Sequence, residues 1–66
     1  MKVWLNGENS DTRGARTVAE LAERYQLPAN SILVEHNGVA LRQREWADRN
    51  LAEADRLEFI RVVAGG

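Results

Sequence analysis

An α+β domain, in which one main helix lies across a face of a mixed sheet of four to five strands, is the fold class this 66-residue sequence predicts. Three observations carry it. Asn-Gly occurs twice, at 6–7 and 37–38, each time between segments with strand character, and that dipeptide accepts the positive φ angles of a two-residue hairpin turn. The stretch opened by Thr17-Val18-Ala19-Glu20 has the apolar spacing of an amphipathic helix. Arg56 to Val63, β-branched and aromatic, is the strongest strand signal in the chain.

Taken in order, Lys2-Val3-Trp4-Leu5 alternates polar and apolar residues into the first Asn-Gly turn. The returning run from Glu8 to Thr12 is polar throughout, which suits a short edge strand. Thr17 to Glu20 reads as a capping box, the Thr17 hydroxyl accepting from the third helical amide and the Glu20 carboxylate from the cap amide. Val18, Leu21, Ala22 and Tyr25 then line one helical face. Pro28 has no amide to donate and disfavours helical geometry at Leu27, so the helix is expected to end near Gln26 or Leu27. Ser31 to Glu35 alternates again, with Ile32 and Val34 in one phase, and turns at Asn37-Gly38 into Val39-Ala40-Leu41. Arg42 to Asn50 reads as a connecting turn or short helix pinned by Trp46, with Leu51 anchoring its far end. A last strand that returns parallel to the first by a crossover places the two side by side at the centre of the sheet, the arrangement of a β-grasp.

At this length the expectation is one domain over 1–66, with 64–66 as a flexible tail. So small a core leaves little room for a deep substrate pocket. No cysteine and only one histidine are present, so neither a disulfide nor a zinc site is expected to staple the fold. A net charge of −1 with interspersed signs gives no basic stripe for nucleic acid. No apolar run approaches a membrane span, and no leader-like segment opens the chain, so a cytoplasmic protein is the expectation.

Chemistry concentrates at Ala64-Gly65-Gly66. Two glycines in the last two positions arise by chance in about 0.5% of sequences. Lacking Cβ atoms, they are narrow and conformationally free, so the end of the chain can enter another protein's active-site channel and present the Gly66 carboxylate there. A carboxylate is a poor electrophile. It needs a better leaving group, for example AMP from ATP, and the sequence has neither a phosphate-binding loop nor a Cys/His or Ser/His pair to supply one. A partner enzyme must therefore provide the activation.

His36, beside a turn and without a sequence-local acid or thiol, reads as a surface residue with no assigned role. Trp46 reads as core. If Val3, Leu5, Leu57 and Phe59 face the helix, then Trp4, Ile60 and Val62 form an exposed apolar patch beside the tail, a candidate docking surface for the partner enzyme; the reversed phase is the alternative.

The segments Val3-x-Leu5-Asn6-Gly7, Thr17-Val18-x-x-Leu21, Glu35-x-Asn37-Gly38, Trp46-Ala47, Leu51-x-x-x-Asp55 and Val63-Ala64-Gly65-Gly66, in that order, resemble the ThiS-type sulfur carriers of thiamin biosynthesis. The resemblance covers the whole chain and implies a ubiquitin-like β-grasp fold. It also implies that a ubiquitin-activating-like enzyme adenylates the Gly66 carboxylate with ATP, and that sulfur from an external donor replaces AMP. The resulting thiocarboxylate would serve thiazole synthase. On this view the protein is a recycled co-substrate rather than an enzyme, binds no cofactor itself, and is a monomer when free. Two departures concern local turns: Arg42-Gln43-Arg44 stands where many relatives have Pro-Arg, and Ala54 where glycine is common. A carrier for molybdopterin synthesis, a ubiquitin-like modifier and a structural binding module are the competing functions.

Overall fold

Both Asn-Gly dipeptides are hairpin turns of the type expected, with positive φ at each residue: 51° and 83° at Asn6 and Gly7, 51° and 84° at Asn37 and Gly38. This is the type I′ pattern, whose twist matches that of the strands it joins. In the computed structural model, which describes residues 1–62, the first turn joins β1 (Lys2–Leu5) to β2 (Glu8–Asp11) and the second joins β3 (Ile32–His36) to β4 (Val39–Leu41). With β5 (Arg56–Arg61) they form one five-stranded sheet of order β2-β1-β5-β3-β4. β5 is central, parallel to β1 and antiparallel to β3. The polar strand β2 lies at an edge. The expected β-grasp architecture, one main helix on a mixed sheet, is therefore the observed one. Val63, expected to complete the last strand, lies outside the described residues, as do Ala64, Gly65 and Gly66.

The helix α1 (Val18–Arg24) begins where the capping box places it. The Glu20 amide donates to Thr17 Oγ1 at 3.1 Å, but the Glu20 carboxylate reaches one residue further back than expected, accepting from the Arg16 amide at 2.7 Å. At the other end the helix stops earlier than Pro28 requires. Gln26 adopts a left-handed φ of 54°, its amide donates to Glu23 O, and the Leu27 amide donates to Ala22 O. These paired bonds form a Schellman cap, closing the last turn before proline is reached. Val18, Leu21 and Ala22 turn inward and meet Val3, Val34, Leu57 and Phe59 from the sheet. Trp46, on a 3-10 helix over Gln43–Asp48, closes one side of this core, and Leu51 packs against it.

The segment before β5 is strained at one residue. Ala54 has φ 69°, a left-handed conformation that costs an L-residue roughly 1–2 kcal/mol. It is held there from both sides: its amide donates to Lys2 O at 2.8 Å, and the adjacent Asp55 amide to Ala52 O at 3.1 Å. Glycine carries no such penalty but loses more freedom on folding. Ala54→Gly is therefore expected to stabilise the protein by about 0.5–1 kcal/mol, a rise of several degrees in melting temperature for a domain of this size, checked by thermal denaturation.

Candidate functional site

The exit of β5 is fixed by the asparagines of the two hairpin turns, which do more than turn the chain. Asn37 Oδ1 accepts from the Arg56 amide at 2.8 Å, at the start of the strand. Asn6 Oδ1 accepts from the Phe59 amide at 2.7 Å, where β1 has ended and that amide would otherwise lack a partner on this side. Each side chain thus adds a rung to the central strand. Beyond Phe59, β5 continues with support from β3, through the Ile32↔Arg61 register and a 2.8 Å bond from the Val62 amide to Ser31 O. The polypeptide leading to Gly66 is therefore anchored on the middle of the sheet up to Val62.

The face of the sheet turned away from α1 is uncovered. Val3, Leu57 and Phe59 are buried beneath the helix and Leu5 packs against the same core, while Trp4, Ile60 and Val62 are 41, 45 and 47% exposed on the opposite phase. Leu33, 57% exposed and paired directly with Ile60, belongs with them. It went unnamed in the sequence, although the inward phase of Ile32 and Val34 places it outward. Register also separates these residues. Trp4 lies level with Arg56, four residues before Ile60 and so about 13 Å from it along the strand. Between the two levels, Glu58 pairs with Glu35. The apolar side chains next to the exit are Leu33, Ile60 and Val62; Trp4 stands apart, edging a shallow groove with Gly7, Arg56 and Glu58.

His36 is not the surface residue expected. It is 5% exposed, its Nε2 lies 2.7 Å from Asp55 Oδ2, and its Nδ1 accepts from Arg49 Nε at 2.9 Å. Acceptance at Nδ1 assigns the proton to Nε2, so the imidazole donates to the carboxylate and has no nitrogen left for an external group. Asp55 also accepts from Asn37 Nδ2 at 3.0 Å and from the Ala52 amide at 2.8 Å. Burial opposes the Asp55 charge, but these hydrogen bonds outweigh it and hold the carboxyl below the usual aspartate range. The cluster joins β3, the loop before β5 and the end of the 3-10 helix. Its role is structural. Among the described residues no group of three or more His, Cys, Asp or Glu side chains is placed to hold a metal ion, and no helix is long and apolar enough to cross a membrane.

Comparison with solved structures gives a crystal structure of the thiamine biosynthesis protein ThiS from Geobacter metallireducens, 29% identical, with a TM-score of 0.84 and full coverage of both chains. A solution NMR structure of a thiamine biosynthesis protein from the same organism, also 29% identical, superposes with a TM-score of 0.77, covering all of this chain and 88% of the other. No curated protein sequence matches. The ThiS family model matches residues 3–66, from the first strand through both hairpins and the central strand to the terminal glycines. On that match, and on a sheet and helix arranged as in the solved ThiS structure, the chain belongs to the ThiS family of ubiquitin-like sulfur carriers.

Proposed function

We propose that this protein carries sulfur for thiamin biosynthesis on the carboxylate of Gly66. The observation that carries the proposal is the family match running through Gly66, on a fold whose central strand leads into that segment. The full-length likeness to a thiamine biosynthesis protein supports the pathway. In the first step a Gly66 carboxylate oxygen attacks the α-phosphorus of ATP held by an adenylating enzyme, giving the acyl adenylate and releasing pyrophosphate. A persulfide sulfur of the donor then adds to the acyl carbon and expels AMP, giving an acyl disulfide, and a thiol of the partner or of a small reductant attacks the donor-side sulfur, forming a disulfide with the donor and releasing the thiocarboxylate. The chain has no cysteine, so that sulfur comes from an external persulfide or equivalent donor. Thiazole synthase takes the sulfur and returns the carboxylate for another round. ATP and the sulfur donor are bound by the partners, in the cytoplasm, and Gly65 and Ala64 give Gly66 passage into their active sites. Partners dock on the open face, with Ile60 and Val62, joined by Leu33, beside the strand exit and Trp4 at a separate level about 13 Å away.

The test is the intact mass of the protein after incubation with ATP, the cognate adenylating enzyme and a sulfur donor. The expected product differs by one exchange of oxygen for sulfur, and deletion of Gly66 abolishes it. A sulfur-dependent mass step that survives the deletion would place the chemistry elsewhere in the chain and overturn the proposal.

A further inference from the structure

Both hairpin turns carry the sequence Asn-Gly, and in both the asparagine is exposed to solvent. An asparagine followed by glycine is open to attack on its own side chain, because no Cβ shields the glycine amide. Once that amide has lost its proton to base, its nitrogen bonds to Cγ of the asparagine. The Cγ–Nδ2 bond breaks, and the departing nitrogen takes up a proton and leaves as ammonia. Water then opens the resulting succinimide at either carbonyl, giving aspartate or isoaspartate, with no electrons gained or lost. The two turns are alike in conformation, and each asparagine accepts a β5 amide at Oδ1, Asn6 from Phe59 and Asn37 from Arg56. These shared features cannot separate them. A second anchor does: Asn37 Nδ2 donates to Asp55 Oδ1 at 3.0 Å, whereas among the described residues Asn6 Nδ2 has no partner.

We propose that Asn6 is a spontaneous modification site, deamidating ahead of Asn37, and that its isoaspartyl product unfastens β5 at Phe59. The inference stands independently of the carrier role. Two observations favour Asn6. Addition at Cγ puts negative charge on Oδ1, and the Asp55 carboxylate lies against the Asn37 amide to oppose it, while also holding the Nδ2 that has to leave. The first hairpin, moreover, opens at less cost: β2 has no buried residue to draw from the core, whereas β4 brings Leu41 with it. Aspartate at position 6 keeps an acceptor for the Phe59 amide. Isoaspartate does not hold one in place, because it lengthens the main chain of a two-residue turn by one carbon and shortens the side group by the same amount. The rung so lost is the one that supports β5 beyond the end of β1, three residues before Val62.

The experiment incubates the full-length protein in mildly alkaline buffer at physiological temperature, both folded and in guanidinium chloride. Peptide mapping by mass spectrometry follows the exchange of NH2 for OH at each asparagine. In the denatured chain the two Asn-Gly sites are expected to react at similar rates. In the folded protein Asn6 is expected to react about tenfold faster than Asn37, the factor that one further charge-assisted hydrogen bond supplies. Asn37 or any other asparagine keeping pace with Asn6 overturns the assignment, and so does a folded Asn6 that stays intact after the denatured chain has converted. The isolated isoaspartyl form is expected to melt several degrees below the unaltered protein, with faster hydrogen exchange at the Phe59 amide, and N6D to match the unaltered protein in both. Unchanged Phe59 exchange in the isoaspartyl form, or an equal loss of protection in N6D, overturns the unfastening.

Discussion

Leu57→Ala is expected to destabilise the protein by about 3–4 kcal/mol, a third or more of its net stability. Leu57 is among the largest fully buried side chains and sits on the central strand, level with Leu5 on one side and His36 on the other. The helix residues Val18 and Leu21 and the β3 residue Val34 share its core, so truncation opens a cavity touched by several elements at once. A chain of this length holds a net stability of only about 3–10 kcal/mol. It has no disulfide to limit the loss. The internal comparison is Ile60→Ala, three residues along the same strand on the opposite face and 45% exposed, which is expected to cost no more than about 1 kcal/mol. Urea unfolding of both variants, followed by circular dichroism, measures the contrast; equal losses would mean that the outer face is covered in the folded protein.

Features encoded within a few residues were legible in the sequence. Each Asn-Gly turn is fixed by the φ preference of its own two residues, and the start of α1 by a hydroxyl three positions from the amide it caps. The inward and outward phases of β1 and β5 followed from alternation, as did the central place of β5 from the parallel return. Features that depend on distant partners were not legible. His36 looked unsupported because its acid, Asp55, lies 19 positions away and its guanidinium donor, Arg49, 13. The Schellman cap was hidden because Gln26, rather than glycine, takes the left-handed position. The departure at Ala54 was visible as a residue where relatives often have glycine, but its φ of 69° appears only once Lys2 and Asp55 hold the loop against β1. The same distance dependence hid the Glu35–Glu58 pair, since only the β3–β5 register brings the two carboxylates together. The separation of Trp4 from Ile60 likewise depends on strand stagger, which alternation alone does not report.

Asp55→Ala is expected to cost about 2–4 kcal/mol at neutral pH, because it strands three donors that the carboxylate now satisfies: His36 Nε2–H, Asn37 Nδ2–H and the Ala52 amide. Asp55→Asn should recover only part of that loss. Its single oxygen can serve His36 and Ala52 from the Oδ2 position, but its NH2 group then faces the NH2 of Asn37. Asn37 cannot rotate to resolve the clash without withdrawing Oδ1 from the Arg56 amide and releasing the first rung of β5. Acid separates the charge from the geometry. The carboxyl of Asp55 is held below its ordinary value of 3.8 in the folded protein, so its ionised form contributes stability that is fully present above that value and is lost as pH falls through the lower folded-state value. The stability gap between the unaltered protein and Asp55→Asn should therefore be constant from pH 7 down to about pH 5 and narrow below about pH 4. Denaturant unfolding of both proteins across that range tests it. A gap that stays constant into acid would mean that the ionised carboxylate contributes no more than an amide of the same shape, and that the cluster binds β5 to β3 through packing alone.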